Sequence, residues 1–449
     1  MSAHPDLPYG GYHKPRTIDP DTTLTAVGPG TPCGEYLRRY WHPIAMTNRL
    51  GEVPMLVRIL GEDLVLFRTR SGALGLVHKH CSHRGMSLEF GIIEEHGIRC
   101  AYHGWAYAPS GTILDTPSEP PGSRIKSRVC HGAYKVVENH GLIFAYMGPP
   151  SEEPPFPHFD SMHLSSADEL VPYQLSTPCN WLQVHENAAD PVHTAYLHAI
   201  VSGIQFTPSF ASLPHLDFKE TEIGLVSLAT RRCGENAWIR ASDVILPNVA
   251  QFGTGTVDGS VEKIAHGAAF TRWITPVDDL NCFVIGYRHF NRIIDPNQTG
   301  VRERIGFERL DLMGQTPERP YAMRQRSPGD YDAMVGQGPV VARCHENLGS
   351  TDRGVALLRR QLREGIRDVQ DGRRPKGPYP GADGLVATYN NETILAVGQS
   401  DDEQAILARY SQLVTEVAFE TRDLPLAEKQ AHFTRRLRGL QAAGAFTLN

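Results

Sequence analysis

Nowhere in the 449 residues does an apolar run approach the ~20 needed to span a bilayer as a helix. The first residues, Met1-Ser2-Ala3-His4-Pro5-Asp6, lack both the basic and the apolar part of a secretory leader. A cytoplasmic chain is the expectation. Positive charge is also in short supply: 44 Lys and Arg stand against 50 Asp and Glu, a formal charge of -6. That leaves no footprint for nucleic acid or an anionic membrane, so small molecules and other proteins are the partners to expect. Cysteines number only eight, with no Cys-x2-Cys pair. A chain of this length buries a core without disulfides, and Cys33, Cys130, Cys179, Cys233, Cys282 and Cys344 read as free thiols. No Gly-x-Gly-x2-Gly follows a strand and no Cys-x4-Cys-x2-Cys occurs, which excludes the usual nicotinamide fingerprint and a plant-type ferredoxin cluster.

What is present is a matched pair of metal-binding loops, Cys81-Ser82-His83 and Cys100-Ala101-Tyr102-His103. Thiolate with imidazole suits few metals, and two readings compete: tetrahedral zinc, or a [2Fe-2S] cluster with two Cys on one iron and two His on the other. Zinc sites usually pair Cys with Cys and His with His. Here each loop carries one of each, so each can reach both irons. The pattern Cys-x-His, x15-17, Cys-x2-His resembles that of the Rieske family, with Cys81, His83, Cys100 and His103 as the cluster ligands. Respiratory Rieske proteins carry two further bridging cysteines where this chain has Met86 and Tyr102. The resemblance is therefore to the disulfide-free oxygenase type.

Residues 1–37, rich in Pro, Gly and Thr, read as an N-terminal arm. Short strands follow at 54–60, 64–68, 74–78, 133–138 and 142–146, the rhythm of a small antiparallel barrel or sandwich over 38–155. The proline-rich stretch 117–122 is either a third loop over the cluster or a plain surface connection. Acidic and proline residues at 151–157 mark a boundary, and 156–449 form a second domain with strands at 224–231, 237–246, 268–275 and 282–289. The long, irregular 291–340 reads as an excursion over a site. Helices follow, one with Val355, Leu358, Leu362 and Ile366 at helical spacing after Ser350 as N-cap, another behind the capping box Ser400-Asp401-Asp402-Glu403.

A cluster of this kind only relays electrons, so the second domain should hold what consumes them. His193 and His198 are the candidates. Five residues apart, they lie ~140° apart on a regular helix, and can share a metal only through a π-bulge or a break. Rieske oxygenases carry Asp-x2-His-x4-His, matched by Asp190, His193 and His198. Two histidines and a carboxylate would make a facial triad for ferrous iron. Asp352, at the head of the late helix, is the expected third ligand by resemblance to the phthalate-dioxygenase branch. Asp190 is implied to join the mononuclear site to His103 of a neighbouring subunit. Asn187 stands three residues before Asp190, where the naphthalene-dioxygenase pattern has four.

The likeness covers most of the chain and implies an α+β architecture, an antiparallel β Rieske domain followed by a helix-grip catalytic domain. Residues 28–32, 37–43 and 348–355 look like the phthalate-dioxygenase group, which includes O-demethylases such as the dehydrodivanillate enzyme. It implies dioxygen as co-substrate, a separate flavin- and ferredoxin-type reductase drawing on NAD(P)H, and a homo-oligomer, commonly a trimer. The activity implied is O-demethylation or hydroxylation of a carboxylated aromatic compound, the alternative being ring cis-dihydroxylation. Arg231, Arg232, Arg240 and Arg272 are candidates to pair a substrate carboxylate.

Overall fold

The computed structural model describes residues 20–163 and 169–447, apart from the side chain of Cys344. The thiol expected there lies outside the described residues. Cys33, Cys130, Cys179, Cys233 and Cys282 form no disulfide among the described residues.

Ten strands build the first domain. Six make one sheet: β1 (Trp41–Met46), β2 (Met55–Ile59), β3 (Glu62–Arg68), β4 (Leu74–His78), β9 (Ala133–Asn139) and β10 (Leu142–Tyr146), in the order β1-β10-β9-β4-β3-β2. Two of its hairpins turn on two residues, Leu60-Gly61 and His140-Gly141, all with positive φ. That geometry matches the twist of the strands, and glycine at the second position adopts it without strain. Four very short strands, β5 (Ile92–Ile93), β6 (Ile98–Arg99), β7 (Ala106–Tyr107) and β8 (Ile113–Asp115), form a second small sheet beside the cysteine loops.

The second domain is organised on a nine-stranded antiparallel sheet. Its main path is β11 (Glu169–Thr177), β18 (Asn281–Phe290), β17 (Phe270–Asp278), β15 (Val249–Phe252), β14 (Asn236–Ile245), β13 (Gly224–Cys233) and β12 (His215–Thr221), with β16 (Lys263–His266) and β19 (Asn391–Ala396) joined at the β14 side. Helix Glu403–Glu420 packs Ile406, Tyr410, Leu413 and Val417 into a core with Ala237, Ile239 and Leu395 of this sheet. Helix Arg353–Gln370 buries Val355, Leu358, Leu362 and Ile366, the stripe read from the sequence. It begins at Arg353 rather than directly after Ser350, because Ser350–Asp352 first make a tighter turn.

The arm is helical where it is described. Thr22–Thr25 and Pro32–Leu37 are short helices, and Leu24, Cys33, Tyr36 and Leu37 are buried in the same core as Leu358 and Leu362. The two domains share an aromatic seam, in which Phe144 meets Trp273 edge-on at 5.3 Å and Trp41 packs on Phe156. Among the described residues no helix is long and apolar enough to cross a membrane.

Candidate metal centres

Each cysteine loop is the same turn made twice. Gly85 N–H donates to Cys81 O at 2.9 Å, and Gly104 N–H to Cys100 O at 3.1 Å, both glycines at φ 77°. A side chain at Gly104 would meet Pro117 at 2.7 Å. Ser118 also donates to His103 O, so the proline-rich stretch does lie over the second loop. Cys81 and Cys100 are buried, and the Tyr107 hydroxyl sits 2.9 Å from Cys81 Sγ. The His83 and His103 rings stand 4.6 Å apart, with His83 stacked on Trp105. His83 Nδ1 is buried without a hydrogen-bond partner. A buried, unpaired ring nitrogen beside two buried thiols suits a metal cluster, since leaving it unpaired otherwise has a real energetic cost.

The second centre forms where three segments meet. Helix Trp181–Glu186 ends in a tight turn, Asn187–Ala189, and the chain re-enters a helix at His193–Ala195 that widens into a π-helical turn over Tyr196–Ile200. This is the distortion that the five-residue spacing requires, and it brings the two rings to 5.4 Å. His193 Nδ1 faces Asp190 O and His198 Nδ1 faces Gln205 Oε1 at 3.0 Å. Both Nδ1 atoms must donate to these oxygens, which leaves both Nε2 atoms bare and directed at a common point.

The carboxylate at that point belongs to Asp330. Its Oδ1 lies 3.5 Å from His193 Nε2 and 3.3 Å from His198 Nε2, and the three residues form the only group among the described residues whose ligand atoms all fall within 4.8 Å. Asp352 does not join them. Its carboxylate turns back to accept Gly349 N–H at 2.7 Å, holding the turn before the late helix. The expectation for Asp352 is thus corrected to Asp330, on the helix Asp330–Gly336 inside the excursion 291–340. The only trace of it in sequence was an acid after Ser327-Pro328-Gly329, where a short helix starts. Burial would raise the Asp330 carboxyl, but His198 and His193 hold it far below the usual range. Burial lowers His193, whereas Asp330 overcomes burial at His198 and raises it. An ionised carboxylate with a neutral imidazole already beside it is a donor set suited to ferrous iron. Gln315 fixes the second Asp330 oxygen at 2.7 Å. Gln205 and Gln315 carried no sequence signal tying them to this site, and Asn187 only its place three residues before Asp190.

Asp190 is placed between the centre and solvent. Its side chain keeps 35% exposure, and its Oδ2 is 3.8 Å from His193 Nδ1.

A cavity opens over His193, His198 and Asp330. Its floor is one face of the sheet, where alternation along β13 presents Ser227, Ala229 and Arg231 inward and β14 presents Arg240 and Ser242. Arg231 and Arg272 are buried and Arg240 half-buried, and none of the three has an ion-pair partner among the described residues. Arg231 and Arg240 stand over the same Phe210 ring at 5.2 and 5.3 Å. Burial, and next the Arg240 charge, pull Arg231 down to about 9. Arg232 points the other way and pairs with Glu403.

Residues 40–137 match the family model described as the Rieske [2Fe-2S] domain. The tert-butanol monooxygenase / tert-amyl alcohol desaturase oxygenase subunit of Aquincola tertiaricarbonis is 39% identical, over 94% of this chain and 93% of its own length. The phenoxybenzoate dioxygenase α subunit of Ectopseudomonas oleovorans is 38% identical over 82% and 90%. In fold, NdmA of Pseudomonas putida CBB5, solved with caffeine, superposes with a TM-score of 0.56 at 18% identity, over 83% of this chain and 99% of that one. Likeness of that extent makes the chain a Rieske non-heme iron oxygenase, of the kind in which a β Rieske domain precedes an α+β catalytic domain. Within that family it belongs to the phthalate-dioxygenase and dehydrodivanillate-demethylase-like group, as the oxygenase α subunit.

Proposed function

We propose that this oxygenase acts on an aromatic carboxylate, by O-demethylation or hydroxylation, with ring cis-dihydroxylation as the alternative outcome at the same centre. The observation that carries the substrate class is the set of Arg231, Arg240 and Arg272 around the cavity without carboxylate partners. Three guanidinium charges gathered on one largely buried wall, none of them in an ion pair among the described residues, favour an anionic guest, and paired N–H donors suit a carboxylate. Phe206, Phe210 and Phe252 supply the apolar walls for a ring.

His193, His198 and Asp330 would hold the iron, with Cys81, His83, Cys100 and His103 holding the cluster. Iron at the first site would supply dioxygen reduction, with electrons relayed by the second. Asp190 is the residue that can take that relay between chains, since its exposed carboxylate reaches His193 on one side and solvent on the other. Among the described residues no hydrogen bond or ring contact joins the cysteine loops to Asp190 or His193 within one chain. Exposed apolar residues occur at both ends of the required contact: Phe90, Ile92 and Tyr102 near the cluster, and Tyr196, Ile200, Val201 and Ile204 on the outer side of the π turn. They suit a head-to-tail ring such as a trimer. Electrons would come from NAD(P)H through a separate flavin- and ferredoxin-type reductase.

The test is turnover of a panel of methoxylated and unsubstituted aromatic acids with a surrogate reductase, scored for formaldehyde and for cis-diol. Oxidation of tert-butanol belongs in the same panel. A neutral tertiary alcohol is the second reading, favoured by the likeness to the Aquincola enzyme over nearly the whole chain. Turnover of the alcohol with none of the acids would remove the carboxylate reading.

A further inference from the structure

One side chain belongs to both the anion cavity and the iron ligands. Asn187 Oδ1 accepts from Arg272 Nη2 at 3.3 Å, while its Nδ2 donates to Asp330 Oδ1 at 3.2 Å and stands 3.3 Å from His193 Nε2. With iron on His193 Nε2, that last contact is lost and the amide keeps Asp330 alone on its donor side. Arg272 lines the cavity, is buried, lies 4.9 Å over the Phe252 ring, and has a buried Nε without a hydrogen-bond partner. The Asp330 oxygen that Asn187 touches is the one facing both imidazoles.

We propose that Asn187 is a positioning residue that transmits the state of the anion cavity, through Arg272, to the iron ligand Asp330. A guanidinium on the amide oxygen polarises the amide and makes its N–H a stronger donor, so Asp330 Oδ1 gives less electron density to a bound metal. An arriving carboxylate competes with the amide oxygen for the Arg272 donors. The amide then relaxes, Asp330 becomes the stronger ligand, and substrate arrival is registered at the metal without touching it. The inference rests on the carboxylate reading above only in naming what releases Arg272. The Arg272–Asn187–Asp330 linkage itself is tested without substrate.

The experiment is a double-mutant cycle on the iron-replete protein, following ferrous iron extraction by an excess of chelator by absorbance. The visible spectrum of the cluster reports folding. Arg272→Gln should slow extraction by up to about tenfold in the native background, the scale of such outer contacts on metal affinity, but by less than about twofold once Asn187→Ala is present. Equal effects of Arg272→Gln in both backgrounds would overturn the proposal, since a charge acting through space does not need the Asn187 amide. If Asn187→Ala does not fold, Asn187→Leu replaces it, since it fills a similar volume and has neither an acceptor for Arg272 nor an N–H for Asp330. Benzoate then serves as the anion probe, read through the EPR rhombicity of the ferrous nitric oxide adduct. Benzoate should shift that signal in the native protein and not in Asn187→Ala. A shift surviving in Asn187→Ala overturns the linkage, whereas benzoate that fails to bind while the cycle stays non-additive removes the carboxylate reading instead.

Discussion

Asp330 and Asp352 are both aspartates at the start of a helix in the same late region, and only their surroundings separate a candidate metal ligand from a turn-holding acid. Iron analysis distinguishes them directly. Asp330→Ala should drop the protein from about three irons per chain to about two, the cluster iron remaining, and Asp352→Ala should leave the count unchanged. Asp190→Asn keeps the size and the backbone contact to His193 but removes the charge that can hold a second imidazolium. Both metals should stay bound and electron transfer to the mononuclear centre should slow sharply. Single-turnover absorbance of the reduced cluster is the measurement, and an unchanged rate would discard the bridging role.

At the scale of elements, the segment that carries His193 and His198 is anchored from behind by a buried charge network. Arg359 of helix Arg353–Gln370 donates to Glu186 Oε1 at 2.6 Å and to Glu346 at 2.8 Å, and Arg343 pairs with both acids as well. Glu186 is the last residue of its helix, directly before Asn187. Arg359→Ala would leave two largely buried carboxylates sharing one guanidinium. Breaking such a network costs about 3 kcal/mol or more. A lower unfolding midpoint in denaturant and faster loss of mononuclear iron should appear together. The π-helical turn was legible in the spacing of His193 and His198, because helix geometry leaves no other way for them to share a metal. The strands β11 and β19 were not legible, since strands completed by distant neighbours show little local pattern.

For the whole molecule, four buried histidines set the response to acid. Burial lowers His42 and His266 to about 4 and His185 and His289 to about 3. A base whose folded value lies below its unfolded value of 6.5 is protonated first in the unfolded chain. Stability is therefore complete above pH 6.5 and falls as pH drops from there toward 4 and 3, by up to ~1.4 kcal/mol per pH unit for each histidine. Thermal unfolding midpoints should decline over that window, and His42→Asn should flatten the decline. Assembly is a property of the same scale. Val201 is 74% exposed and Ile204 59%, just beyond the π-helical turn that carries His198. If they form the ring contact, Val201→Glu with Ile204→Glu should give a smaller species by light scattering, with both metal centres intact and turnover lost.

The two loops that bring Cys81 near His83 and Cys100 near His103 were legible in local sequence, because each closes on itself through a single turn and a glycine. So was the pairing of His193 with His198. Which carboxylate completes their site was decided only by the tertiary structure: Asp330 lies 132 residues beyond His198 in the numbering, and a folded excursion has to carry it back. The fate of the arginines was settled in the same way. Neighbours in sequence, Arg231 and Arg232 point to opposite faces of one strand, and packing against Phe210 on one side and Glu403 on the other makes one a cavity residue and the other a surface ion pair.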